Sequence, residues 1–456
     1  MKKKLFEEFQ STTASGWKQK IQVDLKGADY NETLITTTPS GIHIKPFYHS
    51  DTAPQQQFPY RATYNGDWYI SQAIYAGNES VANKKALDAL ERGSDGILFM
   101  IPNATINLKI LFDGLPEVGI QVHPQFLDPE FLDRLYKIAP TAYVHLDIIY
   151  QLASDGNWFE NKEPDHEKWN QFISSYDDFF SNITINTGLY QSAGATVVQE
   201  LAYYLSHLNE YLNHCEAAGI SLSRKRINID TTIGHNYFME IAKYRAYRVL
   251  TKALGDEYGL ELEAYITATP SLRNKSLKDY NVNMLRTTTE CMSAVLGGAD
   301  TVHNLSYDAF FNKSNEFGER ISRNQLRILK DEAYFNKVQN TADGAYYISS
   351  LVEELTHKSL QVFKSIENAG GFVQSLFDGT IQRKIKESDE KERKAFNAGD
   401  RALVGVNKFE NKDDQLQTDY ELYPFVKQKP RKTLIQPIVP KRLAEDVEQT
   451  FIKVRT

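Results

Sequence analysis

The chain has 456 residues, a formal net charge of −7 and two cysteines, and 41% of its residues are hydrophobic. This composition is typical of a soluble globular protein and argues against a disordered chain. The acidic charge argues against a broad nucleic-acid surface, no apolar run is long enough to cross a bilayer, and two cysteines are too few for a disulfide framework. We therefore expect a cytoplasmic protein with no nucleic-acid or membrane partner.

The N-terminal region, residues 1–60, is predicted to form an arm rather than a domain. Tracts such as DTAPQQQFP combine chain-breaking and polar residues without a sustained hydrophobic period. The first residues are basic, but Glu7 and Glu8 interrupt the apolar run that a secretory signal requires. We therefore expect no signal peptide in this arm.

Residues 61–310 alternate short β-prone runs with amphipathic helical stretches, which is the pattern of parallel α/β architecture. Eight strands are predicted, at Trp68–Tyr75, Gly96–Ile101, Val118–His123, Ala142–Ile148, Ile183–Thr187, Arg226–Asp230, Leu262–Thr267 and Thr301–Leu305. The helices predicted between them are Ser80–Arg92, Pro129–Ile138, Thr196–Ala218, Asn236–Leu254 and Tyr280–Leu296. This alternation predicts a (β/α)8 TIM barrel. An open doubly wound sheet is the alternative, but the glycine-rich GxGxxG turn of its nucleotide-binding members is absent.

Residues 311–456 are predicted to form a helical extension with a C-terminal tail. Helices are expected at Glu319–Phe335 and Tyr346–Asn368, and the charged stretch 378–400 is expected to be a solvated helix. Scattered prolines follow residue 408, so the tail is expected to run extended until a short helix near Leu443–Val454.

Polar residues near the predicted strand ends are the candidate functional site, because catalytic groups of TIM barrels lie at the C-terminal ends of the strands. Asp147 and Asp230 could act as a general acid/base pair, and His123 or His303 could move a proton near neutral pH. The alternative is a structural cluster, since strand-end polar residues also cap helices. The full set expected at the barrel mouth is His123, His145, Asp147, Arg226, Asp230, His303 and Asn304.

Other chemistry-bearing residues give weaker signals. His207 and His214 share one helix face, but they are seven residues apart with no further ligand, so we expect ordinary core or surface histidines. Cys215 and Cys291 lie inside predicted helices and are expected to be packing residues. No HExxH, GxSxG or EF-hand motif is present, and no metal is expected.

Five segments of the sequence, taken together, are specific enough to indicate a known protein family. They are WKQKIQVDLKGADYNETLI from Trp17, AGATVVQELAYYL from Ala193, FMEIAKYRAYR from Phe238, LRTTTECMSAVLGGADTVH from Leu285 and VGVNKF from Val404. The chain thereby resembles the methylmalonyl-CoA mutase family, and most closely its small subunit. The resemblance implies a (β/α)8 barrel. In the catalytic subunit, the pantetheine arm of the acyl-CoA passes along the barrel axis, and a C-terminal flavodoxin-like domain carries adenosylcobalamin for a radical rearrangement between methylmalonyl-CoA and succinyl-CoA.

The chain departs from the catalytic pattern at the reacting centre. Where the family reads RPWTIRQYAG, this chain reads GDWYISQA from Gly66, and Ala73 stands in place of the tyrosine that packs against the substrate. Where the family reads SGYHMQEAGAT, Leu189 takes the place of the histidine that contacts the thioester carbonyl. Leucine neither donates a hydrogen bond nor relays a proton. Arg226, in RINID, does match an arginine of the family.

The cobalamin-binding domain is also expected to be absent. No histidine here follows the DxHxxG pattern of the family's cobalt ligand, and about 50 residues after VGVNKF are too few for a five-stranded doubly wound domain. The resemblance therefore implies a chain with no catalytic residue and no cofactor of its own.

Three hypotheses about function follow. The first is a non-catalytic small subunit of methylmalonyl-CoA mutase, in a heterodimer whose large catalytic subunit holds the adenosylcobalamin. The second is a barrel enzyme that uses the remaining strand-end residues. The third is an acyl-CoA-binding module without chemistry of its own.

Overall fold

A computed structural model describes residues 8–9, 11–54, 67–117, 119–176, 180–222, 224–411, 419–427 and 430–455. Parts of the predicted arm, together with Gly66 and Val118, therefore lie outside the described residues. The described part of the arm contains α1 (Ala14–Asp24), α2 (Tyr30–Leu34) and the antiparallel pair β1 (Thr36–Thr37) and β2 (His43–Ile44).

Eight parallel strands form the centre of the fold. They are β3 (Tyr69–Tyr75), β4 (Gly96–Ile101), β5 (Ile120–Pro124), β6 (Tyr143–Val144), β7 (Ile183–Asn186), β8 (Arg224–Ile233), β9 (Glu261–Pro270) and β10 (Thr301–His303). Their order in the sheet is β6-β5-β4-β3-β10-β9-β8-β7. The last strand, β10, pairs with the first, β3, as a barrel requires and an open doubly wound sheet does not. The predicted TIM-barrel class is confirmed, and all eight predicted strands are present.

The helices of the barrel surround this sheet. They are α3 (Glu79–Glu91), α4 (Leu108–Leu111), α5 (Pro129–Ile138), α6 (Ile148–Asp155), α7 (Lys162–Ser175), α8 (Gly188–Ala193), α9 (Val197–Ala218), α10 (Tyr237–Tyr258) and α11 (Val282–Gly297). Capping residues set several boundaries. Asp128 accepts the Glu130 backbone N–H at 2.9 Å before α5, and Thr196 forms a capping box with Gln199 before α9.

Several predicted boundaries inside the barrel differ from the structure, and two of the differences have a clear physical cause. The helix predicted to end at Leu254 continues as α10 to Tyr258, and the left-handed Gly259 ends it. Gly255 lies inside this helix. A Cβ at position 255 would lie 2.8 Å from the Leu260 carbonyl oxygen, so a glycine is needed for the helix to pack this closely against the start of β9. The strand predicted to reach Ile148 is only two residues long, because Asp147 caps α6.

No backbone ladder joins β6 to β7 within the described strands, and we call this junction the seam. Side chains connect its two sides instead. The Asn186 backbone N–H, at the end of β7, donates to Asp147 Oδ2 at 2.9 Å. The barrel is therefore closed at the seam by a carboxylate rather than by strand pairing.

The helical extension consists of α12 (Glu316–Arg327), a π-helical turn (Ile328–Glu332), α13 (Tyr346–Asn368), α14 (Phe372–Phe377), α15 (Thr380–Ala398) and α16 (Glu445–Arg455). The helix predicted to continue to Phe335 therefore changes its winding after Arg327. Lys330 in the π-helical turn donates to the Trp68 carbonyl and to Asp95. One hydrophobic cluster runs from Ile42 in the arm to Ile438 in the tail.

The C-terminal tail crosses the face of the barrel where the strands end. The backbone N–H of Leu434 donates to the Gly156 carbonyl after α6, at 3.0 Å, and the Leu443 N–H donates to the Arg273 carbonyl after β9, at 2.8 Å. Glu448 in α16 accepts from Ser276 Oγ and the Leu277 N–H, both at 2.8 Å. The tail therefore fastens loops from separate βα units to one another.

Candidate functional site

The parallel register shows which strand residues face the barrel axis. Asp230 on β8 lies beside Thr267 on β9, Thr267 lies beside Thr301 on β10, and His303 lies beside Ser71 on β3. Neighbours in a parallel ladder point to the same face of the sheet. His123, Asp230 and His303 therefore all face inward, as predicted for barrel-mouth residues.

Arg226 is the exception, and its predicted place at the mouth was wrong. It lies near the start of β8, opposite Glu263, four residues before Asp230. Its guanidinium lies 5.4 Å from the Tyr143 ring centroid and 5.1 Å from the Tyr265 ring centroid. Arg226 thus faces the axis at the N-terminal end of the barrel and is bound by aromatic faces rather than by the mouth residues.

The centre of the candidate site is a buried histidine–carboxylate pair. His145 Nδ1 lies 2.8 Å from Asp230 Oδ2, and His145 Nε2 lies 3.1 Å from Gln121 Oε1. Asn228 Nδ2 lies 2.9 Å from His145 Nδ1. Burial alone would raise the pKa of Asp230, but the charge and hydrogen bond of His145, with smaller effects of His123 and His303, bring that pKa below its ordinary value.

His303 and His123 are the other two histidines of the mouth. Burial, with repulsion from His145, lowers the pKa of His303 to about 4. Neither ring nitrogen of His303 has a hydrogen-bond partner of normal geometry among the described residues, and a backbone contact with Ser71 only partly opposes the shift. Burial and His145 also lower the pKa of His123, whose ring lies 6.4 Å from that of His145. At neutral pH both rings are therefore uncharged.

A ring of inward-facing side chains crosses the middle of the barrel, and we call it the lumen layer. Its members come from seven of the eight strands or their ends, and each is at most 5% exposed. They are Ser71, Gln121, His145, Thr184, Asn228, Thr267 and His303. The Ser71 and Thr267 hydroxyls, like the His303 ring, have no partner in the described part of the chain. The barrel axis is thus filled by polar side chains and not by an open channel.

The carboxylate of Asp147 is not free to act as an acid or base at the mouth, because both of its oxygens already accept hydrogen bonds. Its Oδ1 accepts from the Tyr150 N–H at 2.8 Å, from the Tyr211 hydroxyl at 2.9 Å and from His207 Nε2 at 3.0 Å, while Oδ2 accepts the bond across the seam. Four donors satisfy this buried carboxylate. The geometry is that of a structural anchor, and it does not bring Asp147 together with Asp230 as an acid/base pair.

Asn304 is also held by structural contacts. Its Nδ2 donates to the Ser322 carbonyl and to Gln325 Oε1, both at 2.9 Å, and its Oδ1 accepts the Leu305 N–H at 2.9 Å. These contacts join the end of β10 to α12. Asn304 therefore positions the helical extension rather than lining the candidate site.

Sequence reasoning missed four residues of this network. Gln121 and Asn228 orient His145 from neighbouring strands, and His207 and Tyr211 of α9 hold Asp147 from behind the barrel. The signal for the first two was present in the alternation of polar and apolar residues in QVH from Gln121 and NID from Asn228. The sequence predicts an ordinary core or surface histidine at position 207, and the structure places it fully buried.

A cavity of about 250 Å³ lies above the ends of β5 and β6. His123, His145, Asp147 and Tyr150 are among the residues that line it. Most ligand pockets have volumes of roughly 300–1,000 Å³. This cavity is therefore smaller than most ligand pockets, and His145 of the lumen layer is part of its lining.

The sequence model of the family described as Methylmalonyl-CoA mutase matches residues 141–455 of this chain. The chain is 31% identical over 446 residues to the methylmalonyl-CoA mutase small subunit of Porphyromonas gingivalis, which covers 90% of this chain and 72% of that relative.

This chain belongs to the methylmalonyl-CoA mutase family.

Other family members are similar to the chain over nearly the same length. The methylmalonyl-CoA mutase small subunit of Streptomyces virginiae is 26% identical over 446 residues, covering 89% of this chain and 71% of the relative. The methylmalonyl-CoA mutase of Rhizobium meliloti is 27% identical over 465 residues, covering 88% of this chain and 65% of the relative. The chain therefore spans roughly two thirds of that mutase and somewhat more of the two small subunits.

The two positions that depart from the catalytic pattern lie near the mouth. Ala73 on β3 is beside Leu98 in the ladder, faces inward and is exposed. Leu189 is in the short helix α8 that follows β7, and it is 5% exposed. At both places the structure has an apolar side chain where the resemblance implies that catalytic members have a tyrosine and a histidine in contact with substrate.

All parallel strands within the described ranges belong to the barrel, and no second doubly wound sheet accompanies it. Around the mouth, His145 and His303 are buried, and no group of three or more metal-ligating side chains in the described part of the chain could hold a metal ion. Among the described residues no helix is long and apolar enough to cross a membrane.

Proposed function

We propose that this chain is a non-catalytic small subunit of methylmalonyl-CoA mutase. In this role it supports a large catalytic subunit, in a cytoplasmic heterodimer, that performs the adenosylcobalamin-dependent radical isomerisation of methylmalonyl-CoA and succinyl-CoA. The naming of the Porphyromonas gingivalis and Streptomyces virginiae relatives as small subunits supports a partner of this kind.

The lumen layer is the observation that carries the proposal. A passage wide enough for a pantetheine arm would expose the side chains that line it. The inward side chains at the middle of the barrel are instead at most 5% exposed, and His145, after β6, is bonded to Asp230 on β8. An acyl-CoA bound along the axis would have to displace hydrogen-bonded polar groups, which is costly because their partners would remain buried.

The two substituted positions support the same conclusion. A buried leucine at position 189 cannot donate a hydrogen bond to a thioester carbonyl. The methyl group of Ala73 cannot replace a phenol that packs against a radical intermediate. Of the mouth residues, Asp147 and Asn304 are committed to structural contacts.

The His145–Asp230 pair is the one observation that favours the barrel-enzyme alternative. Its 2.8 Å separation is within the range of a general acid/base arrangement, and it borders the cavity at the mouth. A test of the proposal must therefore change this pair as well as measure the isolated chain.

The experiment is to express this chain with a cobalamin-binding large subunit, and to assay mutase turnover by each chain alone and by the co-purified complex. We expect turnover in the complex and none from this chain alone. In the complex, Asp230→Asn should retain turnover within about twofold, whereas loss of a general acid or base typically costs about 10²–10⁴-fold. Asp128→Asn, a change of the same kind at a helix cap, is the control. Turnover by the isolated chain, or a hundredfold loss in Asp230→Asn alone, would contradict the proposal.

A further inference from the structure

A second cavity, of about 340 Å³, lies on the outer side of the barrel between α3 and α12. It is remote from the mouth and is lined by both helices and by the loop before α12. Four cations and three carboxylates line it, together with one hydroxyl. They are Lys84, Lys85, Arg92, Arg323, Asp88, Glu316, Glu319 and Ser314.

The three carboxylates are already paired with two of the four cations. Lys85 Nζ lies 3.3 Å from Glu319 Oε1. Arg92 lies 2.7 Å from Asp88 Oδ1 and 3.3 Å from Glu316 Oε1. This leaves two cations in the lining, Lys84 and Arg323, without an ion-pair partner among the described residues.

Arg323 is the unusual member of the pair. It is only 5% exposed, yet no carboxylate of the described residues lies within 4.0 Å of its guanidinium. Its Nη1 donates to Gln72 Oε1 at 2.7 Å, and its buried Nε has no partner. Burial lowers the pKa of Arg323. The positive charge of Arg92 lowers this pKa further, whereas the carboxylates of Asp88 and Glu319 raise it. The cavity lining therefore includes a guanidinium whose charge no carboxylate of the described residues pairs at short range, and an anion in the cavity would supply the missing partner.

The geometry points to a binding site for a phosphate group in this cavity, with Arg323 as the buried donor and Lys84 as the exposed cation at its rim. Phosphate suits these residues because guanidinium groups bind its oxygens through charge-assisted hydrogen bonds, and an ammonium adds a point charge. The volume equals that of roughly ten water molecules at about 30 Å³ each, which leaves room for a phosphate and part of a molecule that carries it.

This site is independent of the proposed subunit function, because it shares no residue with the lumen layer or the mouth. The phosphate could be free or carried by a small phosphomonoester. Both sources present the same terminal oxygens to Arg323, and they differ in whether the rest of the cavity contributes to binding.

The experiment is isothermal titration of the full chain with inorganic phosphate and, separately, with glycerol 3-phosphate, at constant ionic strength and with chloride as the competing salt. We expect saturable binding of one or both. Arg323→Gln should weaken it at least about tenfold, because a charge-assisted hydrogen bond is lost. Lys84→Gln should weaken it about threefold, as expected for an exposed charge.

Arg320→Gln is the matched control, since Arg320 is an exposed arginine on the same helix that does not line the cavity. It should bind as the unaltered chain does. Because Lys84 is exposed, Lys84→Gln keeps the test valid if Arg323→Gln fails to fold. If neither compound binds saturably, or if the chain and its Lys84 and Arg323 variants bind equally, the inference is overturned. Tighter binding of glycerol 3-phosphate than of phosphate would identify a phosphomonoester as the ligand.

Discussion

At the scale of single residues, the environment of His303 has a direct consequence for how the stability of the chain depends on pH. It is 2% exposed, both ring nitrogens lack a partner of normal geometry among the described residues, and its pKa is lowered to about 4. The ring is neutral in the folded chain at every pH above that value. In the unfolded chain it takes up a proton near its ordinary pKa of about 6.5.

This difference predicts a loss of stability in acid. The contribution of neutral His303 is fully present above pH of about 6.5 and is lost as the pH falls towards 4, because only the unfolded chain binds the proton in that interval. The loss should reach about 3 kcal/mol at 1.36 kcal/mol per pKa unit. His303→Leu should reduce this loss by that amount, as measured by urea unfolding at pH 7, 5.5 and 4.5.

His357 provides the control, since it is an exposed histidine on α13. His357→Leu should leave the pH dependence of unfolding as it is in the unaltered chain. A His303→Leu variant whose stability falls with acid as steeply as that of the unaltered chain would show that the buried ring titrates normally.

The residues of the site were predicted from sequence only in part. His123 and Asp230 end predicted strands and His303 lies within another, Thr301–Leu305, so we could place them near the mouth from the fold class alone. The misplacement of Arg226 arose because β8 is ten residues long, and a resemblance to a family motif does not show which end of so long a strand a residue occupies. The bonds of Asp147 to α9 depend on packing between elements far apart in sequence, which no local pattern contains.

At the scale of elements, Asp147 connects three parts of the fold. It caps α6, accepts the backbone N–H that ends β7, and accepts from His207 and Tyr211 on α9. At the seam between β6 and β7, where strand pairing is absent in the described residues, this carboxylate supplies the bond to the β7 backbone, beside the side-chain bonds of His145 to β8.

Asp147→Asn should therefore destabilise the chain by about 3 kcal/mol, because the amide has one acceptor oxygen and its NH₂ group faces buried donors. Chemical denaturation in urea measures the change. Asp128→Asn makes the same substitution at the cap of α5, where asparagine caps as well as aspartate, and should cost less than about 0.5 kcal/mol. Equal effects of the two substitutions would show that Asp147 acts as a helix cap and no more.

Elements with strong local signals were predicted within a few residues. α5 and α13 have the bounds expected from their caps and hydrophobic periods. Short elements such as α8, and the arm helix α1, were not predicted. Helix α1 has no buried residue, so its sequence lacks the apolar stripe by which a helix is recognised.

At the scale of the whole molecule, arm, barrel and extension share one hydrophobic cluster. The predicted domain boundaries at residues 60 and 310 stay predictions, but the shared core has a measurable consequence. Helix α13 packs on α9 and α10 of the barrel, and the tail bonds to loops after α6 and β9. We expect the chain to unfold as one cooperative unit.

Thermal unfolding followed by far-ultraviolet circular dichroism and by tryptophan fluorescence should give coincident transitions. Trp68, Trp158 and Trp169 are buried in the barrel region, whereas the helices of the extension contribute strongly to the dichroism. Trp17→Phe removes an exposed tryptophan of the arm and should leave the coincidence unchanged. An earlier transition seen only by dichroism would show that the extension unfolds on its own.

The side chains that fill the barrel axis also restrict how such a chain could change over generations. Replacing His145 alone would leave Gln121, Asn228 and Asp230 without the hydrogen-bond partner that His145 provides inside the barrel. Replacing His145 by itself is thus unfavourable, and it becomes less so only if its three partners are replaced together with it. We therefore expect that replacements selected at one position at a time do not reopen a barrel whose axis is filled in this way.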